Sequence, residues 1–286
     1  MRVFLVRESQ VSRTTFDGRV AILGCGAMGA ALANGLLDAG LVRADAVAVA
    51  NRTPARAEQF ARLTGARFAE DWADAARGAS VVVVAVKPAG VAGVLAALEG
   101  RLAGGAVVIS VAAGVRLETL EAALGGETPV VRAMPNAPAS VGEAATCLAR
   151  GARATDAHVA LARGLFAPLG YVLEVDESQM DAVTGLAGSG PAFVAAFVEA
   201  LADGGVKAGL ARDQARALAL QTLLGTARLL VERGGHPAEL KDRVASPAGT
   251  TMAGLHMLEK GGFRATVMDA VEAAAKRSAE LGARKG

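Results

Sequence analysis

Residues 19–29 read Arg19-Val20-Ala21-Ile22-Leu23-Gly24-Cys25-Gly26-Ala27-Met28-Gly29, and a helical run from Ala30 to Ala39 follows directly. The order strand, glycine turn, helix is typical of a dinucleotide-binding turn. Gly24 permits the tight turn, Gly26 lets the backbone approach a pyrophosphate, and Gly29 lets helix and strand pack closely. Free N–H groups and the helix dipole then favour phosphate at the helix start. A tight turn without a ligand is the alternative.

Short β-branched runs alternate with alanine-rich helical stretches from Gly18 onward, which predicts βαβ units around a parallel sheet. After Asp176 the pattern changes, and from Gln179 to the end only helical periodicity remains. The predicted strands are Arg19–Leu23, Ala46–Ala50, Ser80–Val86, Ala106–Val111, Pro129–Ala133, Ala145–Leu148 and Tyr171–Val175. The predicted helical interruptions are Gly188–Pro191, Gly204–Gly209, Gly234–Pro237 and Pro247–Gly249.

The predicted fold class is α/β, with an N-terminal Rossmann-type dinucleotide-binding domain and a C-terminal all-helical dimerisation domain. We expect an N-terminal extension at residues 1–17, the Rossmann domain at 18–176 and the helical domain at 177–286. So many small and apolar residues give the helical domain faces that one chain cannot bury. A homodimer through these helices is expected, and a ring of dimers would use the same faces.

Composition excludes several classes of function. Thirty Lys and Arg against 28 Asp and Glu leave a net charge of +2, too small to predict a nucleic-acid or anionic-membrane partner. Cys25 and Cys147 follow no metal-binding or disulfide spacing. The strongest apolar run, Val81–Val86, is far shorter than the roughly 20 residues that span a bilayer. With no signal peptide pattern either, a reducing cytoplasm is the expected location.

The end of the second predicted strand indicates the cofactor. NAD sites usually place an acidic residue there, whereas this chain has Asn51-Arg52-Thr53. A carboxylate would repel a ribose 2′-phosphate, but an arginine with small hydrogen-bonding neighbours can bind one. NADPH is therefore expected, with NADH as the alternative cofactor. A solvated loop arginine is the structural alternative.

Three further strand ends place residues at the same edge, where ligands bind in open α/β sheets. Val86-Lys87-Pro88 ends one strand because proline cannot continue the ladder. Ala112 and Ala113 end the next with side chains small enough for a cofactor to approach. Asn136 stands between two prolines and either contacts the nicotinamide carboxamide or closes a turn.

A hydroxyl-rich segment, Ser246-Pro247-Ala248-Gly249-Thr250-Thr251, precedes the helical run Met252–Glu259. Hydroxyls and free N–H groups at a helix start form a good receptor for a carboxylate. Ordinary helix capping, with proline early in the helix, is the alternative.

Taken together, these motifs resemble the pyrroline-5-carboxylate reductase family. They occur in the family's order and cover the chain from Gly18 onward. The segments that carry the resemblance are Gly24–Gly29, Val86–Pro88, Met134–Asn136, Thr184–Phe193, Ala202–Val206, Ser246–Thr251 and Leu258–Arg264. The resemblance implies reduction of pyrroline-5-carboxylate to proline by hydride from NAD(P)H, the final step of proline biosynthesis.

The resemblance also implies residue roles. In the family the serine-proline loop holds the substrate at the dimer interface, facing the nicotinamide. Ser246, Thr250 and Thr251 would line this pocket, and Thr251 would serve the reaction by hydrogen bonding to the ring nitrogen. Glu177 matches a position near the substrate, and Arg243 one that contacts the cofactor. Ala248 departs from the family, which usually has glycine there, and its methyl group narrows the backbone angles that the loop can adopt.

Three other interpretations stay open. A 3-hydroxyacid dehydrogenase has a similar layout, but Phe193–Ala195 occupy the stretch where those enzymes carry a catalytic lysine. An imine reductase for another ring size, or a protein that binds NADPH without turnover, remains an alternative. His158, His236 and His256 lack partnering carboxylate motifs and are predicted to be structural, so no metal site is expected.

Overall fold

An eight-stranded sheet organises the first part of the computed structural model, which describes residues 16–283. Its strands are β1 (Val20–Leu23), β2 (Val47–Ala50), β3 (Arg67–Phe68), β4 (Val81–Val84), β5 (Val107–Ser110), β6 (Val130–Met134), β7 (Ala144–Arg150) and β8 (Gly170–Glu174). Their order in the sheet is β3-β2-β1-β4-β5-β6-β7-β8. Neighbouring strands are parallel except for the antiparallel pair β6 and β7. The order reverses between β1 and β4, which creates a crevice at their carboxyl ends.

Helices cover both faces of the sheet and make up most of the described chain after β8. They are α1 (Ala27–Asp38), α2 (Pro54–Thr64), α3 (Trp72–Ala76), α4 (Val91–Leu98), α5 (Leu117–Ala123), α6 (Asp156–Phe166), α7 (Met180–Val183), α8 (Gly190–Lys207), α9 (Arg212–Arg233), α10 (Pro237–Val244), α11 (Thr250–Lys260) and α12 (Phe263–Ala283). Short 3₁₀ turns occupy Ala44–Ala46, Pro88–Gly90, Ala137–Val141, Ala167–Leu169 and Glu177–Gln179.

Two apolar layers hold the sheet, one on each face. Val81 and Val83 belong to one layer, and Val82 and Val84 to the other, all completely buried. Continuous apolar strands are the signature of a parallel sheet covered on both faces. Because the core uses valine, alanine and leucine, helices α1 and α4 can approach the strands closely.

The predicted fold class is confirmed, and all seven predicted strands are present. The two-residue strand β3 is an addition that the sequence pattern did not indicate. The predicted interruption at Gly188–Pro191 is shorter than expected: a π-helical turn spans Thr184–Gly188, Ser189 forms a bend, and α8 begins at Gly190. Pro191 is tolerated since it lies in the first turn of α8, where its missing N–H costs no hydrogen bond.

The described chain divides into two compact units. Residues 16–189 and 273–283 form the sheet unit, and residues 190–272 form the helical unit. Helix α12 begins in the helical unit and ends in the sheet unit, where Ser278 Oγ donates to Asp181 Oδ1 at 2.6 Å. The boundary between residues 176 and 177 stays a prediction. Of the predicted extension, residues 1–15 lie outside the described residues, while Phe16 N donates to Leu41 O at 2.7 Å.

The longest apolar helical run in the structure is a different segment from Val81–Val86, the strongest apolar run of the sequence. Residues Glu177–Lys207 form a helical run of 31 residues, and its most apolar stretch of 18 residues has a mean hydropathy of 1.4, with 17% of that stretch buried. By length and composition, this is the one helix within residues 16–283 that could cross a bilayer. Buried helices that pack against protein pass the same test.

Candidate functional site

The glycine turn after β1 is shaped by close backbone contacts. Gly24 has φ +116°, and an added Cβ would stand 2.6 Å from the carbonyl oxygen of Ala85. At Gly29, an added Cβ would stand 1.9 Å from the carbonyl oxygen of Gly24. An added Cβ at Gly26, by contrast, meets no atom within 4 Å. Each glycine therefore has the geometry that the motif predicts: a tight turn, an open approach and a close packing contact.

The start of α1 offers backbone donors to a ligand. Gly26 is the exposed N-cap residue, and no side chain caps the helix there. The first N–H groups of a helix have no intrahelical acceptor, and over twelve residues the aligned peptide dipoles favour an anion. Because Gly26 also leaves open space, the turn fits a pyrophosphate.

The segment after β2 is tied to this turn by Asn51. Its Oδ1 accepts a hydrogen bond from Cys25 N at 3.1 Å, and its Nδ2 donates to Thr53 O at 3.1 Å. Thr53 is the N-cap of α2, with Pro54 at the first helical position. Arg52 is exposed and pairs with no side chain in the described part of the chain. The guanidinium is therefore free to bind an anion beside the glycine turn.

The ends of β1, β2, β4 and β5 meet in register, since Leu23 aligns with Ala50 and Val84, and Val84 aligns with Ser110. The residues that follow these strands therefore lie at one edge of the sheet. Val86 contacts the glycine turn, with its Cγ1 3.1 Å from the position of a Cβ on Gly24. Lys87 is exposed and precedes the turn Pro88–Gly90.

Two small residues follow β5 at the same edge. Ala112 is buried and its N–H donates to Ser110 Oγ at 3.4 Å, whereas Ala113 is exposed. Neither side chain obstructs the edge, so the structure brings together the glycine turn and the ends of β2, β4 and β5.

Both polar atoms of the Asn136 side-chain amide form hydrogen bonds within the protein. Its Oδ1 accepts from Ala145 N at 2.9 Å, and its Nδ2 donates to Ala187 O at 3.0 Å. The side chain is 9% exposed and links β7 to the π-helical turn. The structure thus favours the structural alternative, and contact with the nicotinamide stays a prediction.

Glu177 forms an ion pair inside the sheet unit. Its Oε1 accepts from Arg132 Nη1 at 3.0 Å and from Leu117 N at 2.7 Å. The Arg132 side chain is 4% exposed, and its Nη2 has no partner within residues 16–283. One carboxylate therefore connects β6, the start of α5 and the first helical residues after β8. The substrate role of Glu177 stays a prediction.

The loop before α11 lies in the helical unit and forms a tight turn. Gly249 N donates to Ser246 O at 3.0 Å, and Ala248 has φ +55°. Proline followed by a positive φ is the pattern of a type II turn. Ala248 is the one non-glycine residue with positive φ in the described chain, so the departure from glycine imposes backbone strain.

The predicted substrate residues lie around this turn. Thr251 is half-buried in the first turn of α11, and Thr250 and Ser246 are exposed. Arg243 is exposed in the last turn of α10.

No histidine within residues 16–283 forms a hydrogen bond or ion pair with a carboxylate. His158 Nδ1 accepts from Thr155 N at 3.0 Å and His236 Nδ1 accepts from Ala238 N at 3.1 Å, so both cap helices. Burial raises the pKa of Cys25 to about 11, which keeps this thiol beside the glycine turn protonated and unreactive. The residues that the structure describes contain no cluster that could hold a metal ion.

Fold and site together define a two-part oxidoreductase with a Rossmann-type dinucleotide-binding unit and a helical unit. Two protein-family models match: "NADP oxidoreductase coenzyme F420-dependent" at residues 19–114 and "Pyrroline-5-carboxylate reductase dimerisation" at residues 177–281. The pyrroline-5-carboxylate reductase of Methanosarcina acetivorans is 44% identical over 92% of this chain and 98% of its own length. That of Pisum sativum is 44% identical over 92% and 95%. The chain belongs to the pyrroline-5-carboxylate reductase family.

Solved structures agree with this assignment. The pyrroline-5-carboxylate reductase from Coxiella burnetii is 33% identical, with a TM-score of 0.88 over 93% of this chain and 99% of its own. The pyrroline carboxylate reductase from Plasmodium falciparum, solved with NADP bound, is 31% identical with a TM-score of 0.83 over 94% and 99%.

Two arginines of the sheet unit were missed by the sequence reasoning. Arg132 interrupts the apolar strand β6, and a charge inside such a strand indicates a buried partner. Arg56, in the first turn of α2, lines a cleft beside Gly26. The sequence feature that could have identified Arg56 is a basic residue at a helix start, where acidic residues are preferred.

Proposed function

We propose that the protein reduces L-1-pyrroline-5-carboxylate to L-proline with NADPH, with NADH as the alternative donor, in the final step of proline biosynthesis. The observation that carries the proposal is the open glycine turn at Gly26 in a chain of this family. NADPH, when bound, supplies the hydride.

The cofactor residues follow from the edge of the sheet. Backbone N–H groups of Gly24–Gly29 would hold the pyrophosphate, and Asn51, Arg52 and Thr53 the adenosine ribose with its 2′-phosphate. The remaining proposed contacts are Val86, Lys87, Pro88, Ala112, Ala113, Asn136 and Arg243. No carboxylate stands at Asn51–Thr53 to repel a 2′-phosphate.

The proposed substrate residues need only bind and orient. Ser246, Thr250 and the free N–H groups at the start of α11 suit a carboxylate, and the Thr251 hydroxyl suits a ring nitrogen. Glu177 is proposed as a further residue near the substrate. A cyclic imine is electrophilic once protonated, so the protein must chiefly align the reacting atoms and exclude water. The lack of an acid–base histidine fits this chemistry.

We also propose a homodimer through the helical domain, residues 177–286, with a ring of dimers built on it. The Rossmann domain would span residues 18–176, after an extension at residues 1–17. The cytoplasm is the proposed location.

The decisive assay follows NADPH oxidation with pyrroline-5-carboxylate. Piperideine-6-carboxylate tests ring size, and a 3-hydroxyacid with NADP⁺ tests the dehydrogenase alternative. We expect fast oxidation with the five-membered imine alone. If neither imine is reduced, the proposal is wrong, and NADPH binding without turnover would favour a sensor.

Thr251→Ala should lower kcat/KM for the imine by roughly ten- to a hundredfold, because a hydrogen bond to a polar ligand atom is lost. Thr266→Ala is the matched control, because it removes a threonine hydroxyl from a different helix, α12. That hydroxyl donates to Gly262 O at 3.1 Å. Equal activity of the two variants would remove Thr251 from the site.

A further inference from the structure

A cleft of about 370 Å³ lies beside the glycine turn, between the start of α1 and helix α2. Gly26 and Ala27 line one wall, and Arg56 and Gln59 of α2 line the other. The cleft therefore places a guanidinium beside the turn that fits the pyrophosphate of a dinucleotide.

The position of Arg56 within α2 is electrostatically unfavourable for the protein alone. Thr53 is the N-cap, so Arg56 lies in the first turn, at the positive end of the helix dipole. No acidic residue accompanies it in this turn. Glu58, two positions on, points to another side of the helix.

No side chain in the described residues compensates this charge. Arg56 is exposed and forms no ion pair or side-chain hydrogen bond with any residue from 16 to 283. Arg52, four residues earlier, is exposed and equally unpaired in the same part of the chain. Arg56 thus brings positive charge to an open cleft, Arg52 stands just before the N-cap of the same helix, and an external anion would neutralise both.

We propose that Arg56 is a specificity-determining residue that binds the 2′-phosphate of NADPH together with Arg52. The inference rests on the proposed function for its cofactor. A phosphate monoester is the anion of matching charge, because its oxygens can accept hydrogen bonds from two guanidiniums at once. The adenosine ribose of a dinucleotide lies at the end of β2, from which both arginines follow.

Direct binding separates this role from any effect on turnover. Calorimetry with NADPH, NADH, adenosine 2′,5′-bisphosphate and adenosine 5′-monophosphate should be run on the full chain and on Arg56→Gln. We expect the Kd for NADPH and for the bisphosphate to rise roughly ten- to a hundredfold, as for a lost charge-assisted hydrogen bond. The Kd for NADH and for the monophosphate should stay within about twofold.

Two further variants control for charge and geometry. Arg62→Gln removes the same charge from the last turn of α2 and should leave all four affinities unchanged. Arg56→Lys keeps the charge without the planar fork and should recover part of the NADPH affinity. Thermal melting should match across the variants because Arg56 is exposed.

Two results would overturn the inference. Equal weakening of NADPH and NADH would assign Arg56 to the pyrophosphate, and unchanged NADPH binding would leave it without a ligand. Neither result affects the imine assay, which tests the proposed function separately. Conversely, wild-type protein that binds the bisphosphate through Arg56 but reduces no imine would keep this inference and refute the proposed reaction.

Discussion

At Gly29 the backbone of α1 lies so close to the preceding turn that no side chain fits. Gly29→Ala would place a methyl group 1.9 Å from the carbonyl oxygen of Gly24, and backbone cannot rotate away as a side chain can. We expect a loss of roughly 3 kcal/mol in the free energy of unfolding, measured by urea denaturation. Gly26→Ala meets no atom, so it should leave stability nearly unchanged and weaken NADPH binding. Similar stability losses for both variants would contradict this assignment of the two glycines.

Ala248 carries the strain that glycine would avoid. A left-handed conformation costs a non-glycine residue roughly 1–2 kcal/mol, while glycine loses roughly 0.5–1 kcal/mol more backbone entropy on folding. Ala248→Gly should therefore raise the free energy of unfolding by up to about 1 kcal/mol. Ala253→Gly, in the interior of α11, should lower it by about 1 kcal/mol. If both substitutions destabilise equally, the positive φ of Ala248 is wrong.

The meeting of the proposed cofactor residues at one edge could be predicted from the sequence, because these residues follow strands whose ends meet wherever the sheet is parallel. The glycine turn and Asn51-Arg52-Thr53 are of this kind. The partners of Asn136 and Glu177 could not be predicted. Their hydrogen bonds join Asn136 to Ala187 and Glu177 to Leu117, pairs far apart in the chain whose proximity depends on tertiary packing.

At the scale of elements, the ion pair between buried Arg132 and half-buried Glu177 joins a strand to the helices that follow the sheet. Glu177→Gln keeps an acceptor for Leu117 N but leaves the Arg132 guanidinium buried without a counter-charge. We expect a loss of about 2 kcal/mol or more in the free energy of unfolding, because an uncompensated buried charge is costly. Urea denaturation measures this loss.

Glu174→Gln is the matched control for that variant. Its partner Arg150 is exposed and also pairs with Asp156 at 2.6 Å, so little stability should change. If Glu177→Gln leaves stability intact but raises KM for the imine, Glu177 binds substrate instead of positioning β6.

The antiparallel pairing of β6 with β7 could have been predicted from the sequence. Only residues 135–143 join β6 to β7, which is too short for the crossover that a parallel pair requires. The antiparallel pairing therefore follows from spacing. Strand β3 is different, since two residues, Arg67 and Phe68, carry no periodicity that could predict a strand.

At the scale of the whole molecule, the helical unit buries little of its own apolar surface. Its buried cluster consists of Val198, Ala202, Ala215 and Ala219. On α9, Leu220 is 52% exposed and Leu224 is 47% exposed, one helical turn apart. An apolar face of this kind marks an interface, in agreement with the dimerisation model that matches residues 177–281.

Charge on that face should prevent association. We expect the double variant Leu220→Lys, Leu224→Lys to sediment as a monomer in analytical ultracentrifugation, because two ammonium groups would be desolvated in the interface. Val141→Lys, at a position 72% exposed in the sheet unit, is the control and should sediment like the wild type. A double variant that keeps the wild-type sedimentation would move the interface elsewhere.

The last turns of α12 return to the sheet unit, where Ser278 bonds Asp181 and an added Cβ on Gly282 would stand 3.1 Å from Gly114 O. Gly114 belongs to the loop after β5, at the edge proposed for the cofactor. Ser278 and Gly282 are synthesised long after Gly114 and Asp181, so the nascent chain lacks this packing until α12 has emerged. The strands of the sheet can form earlier during translation, but the packing of α12 against the edge proposed for the cofactor is completed only once α12 itself has been synthesised.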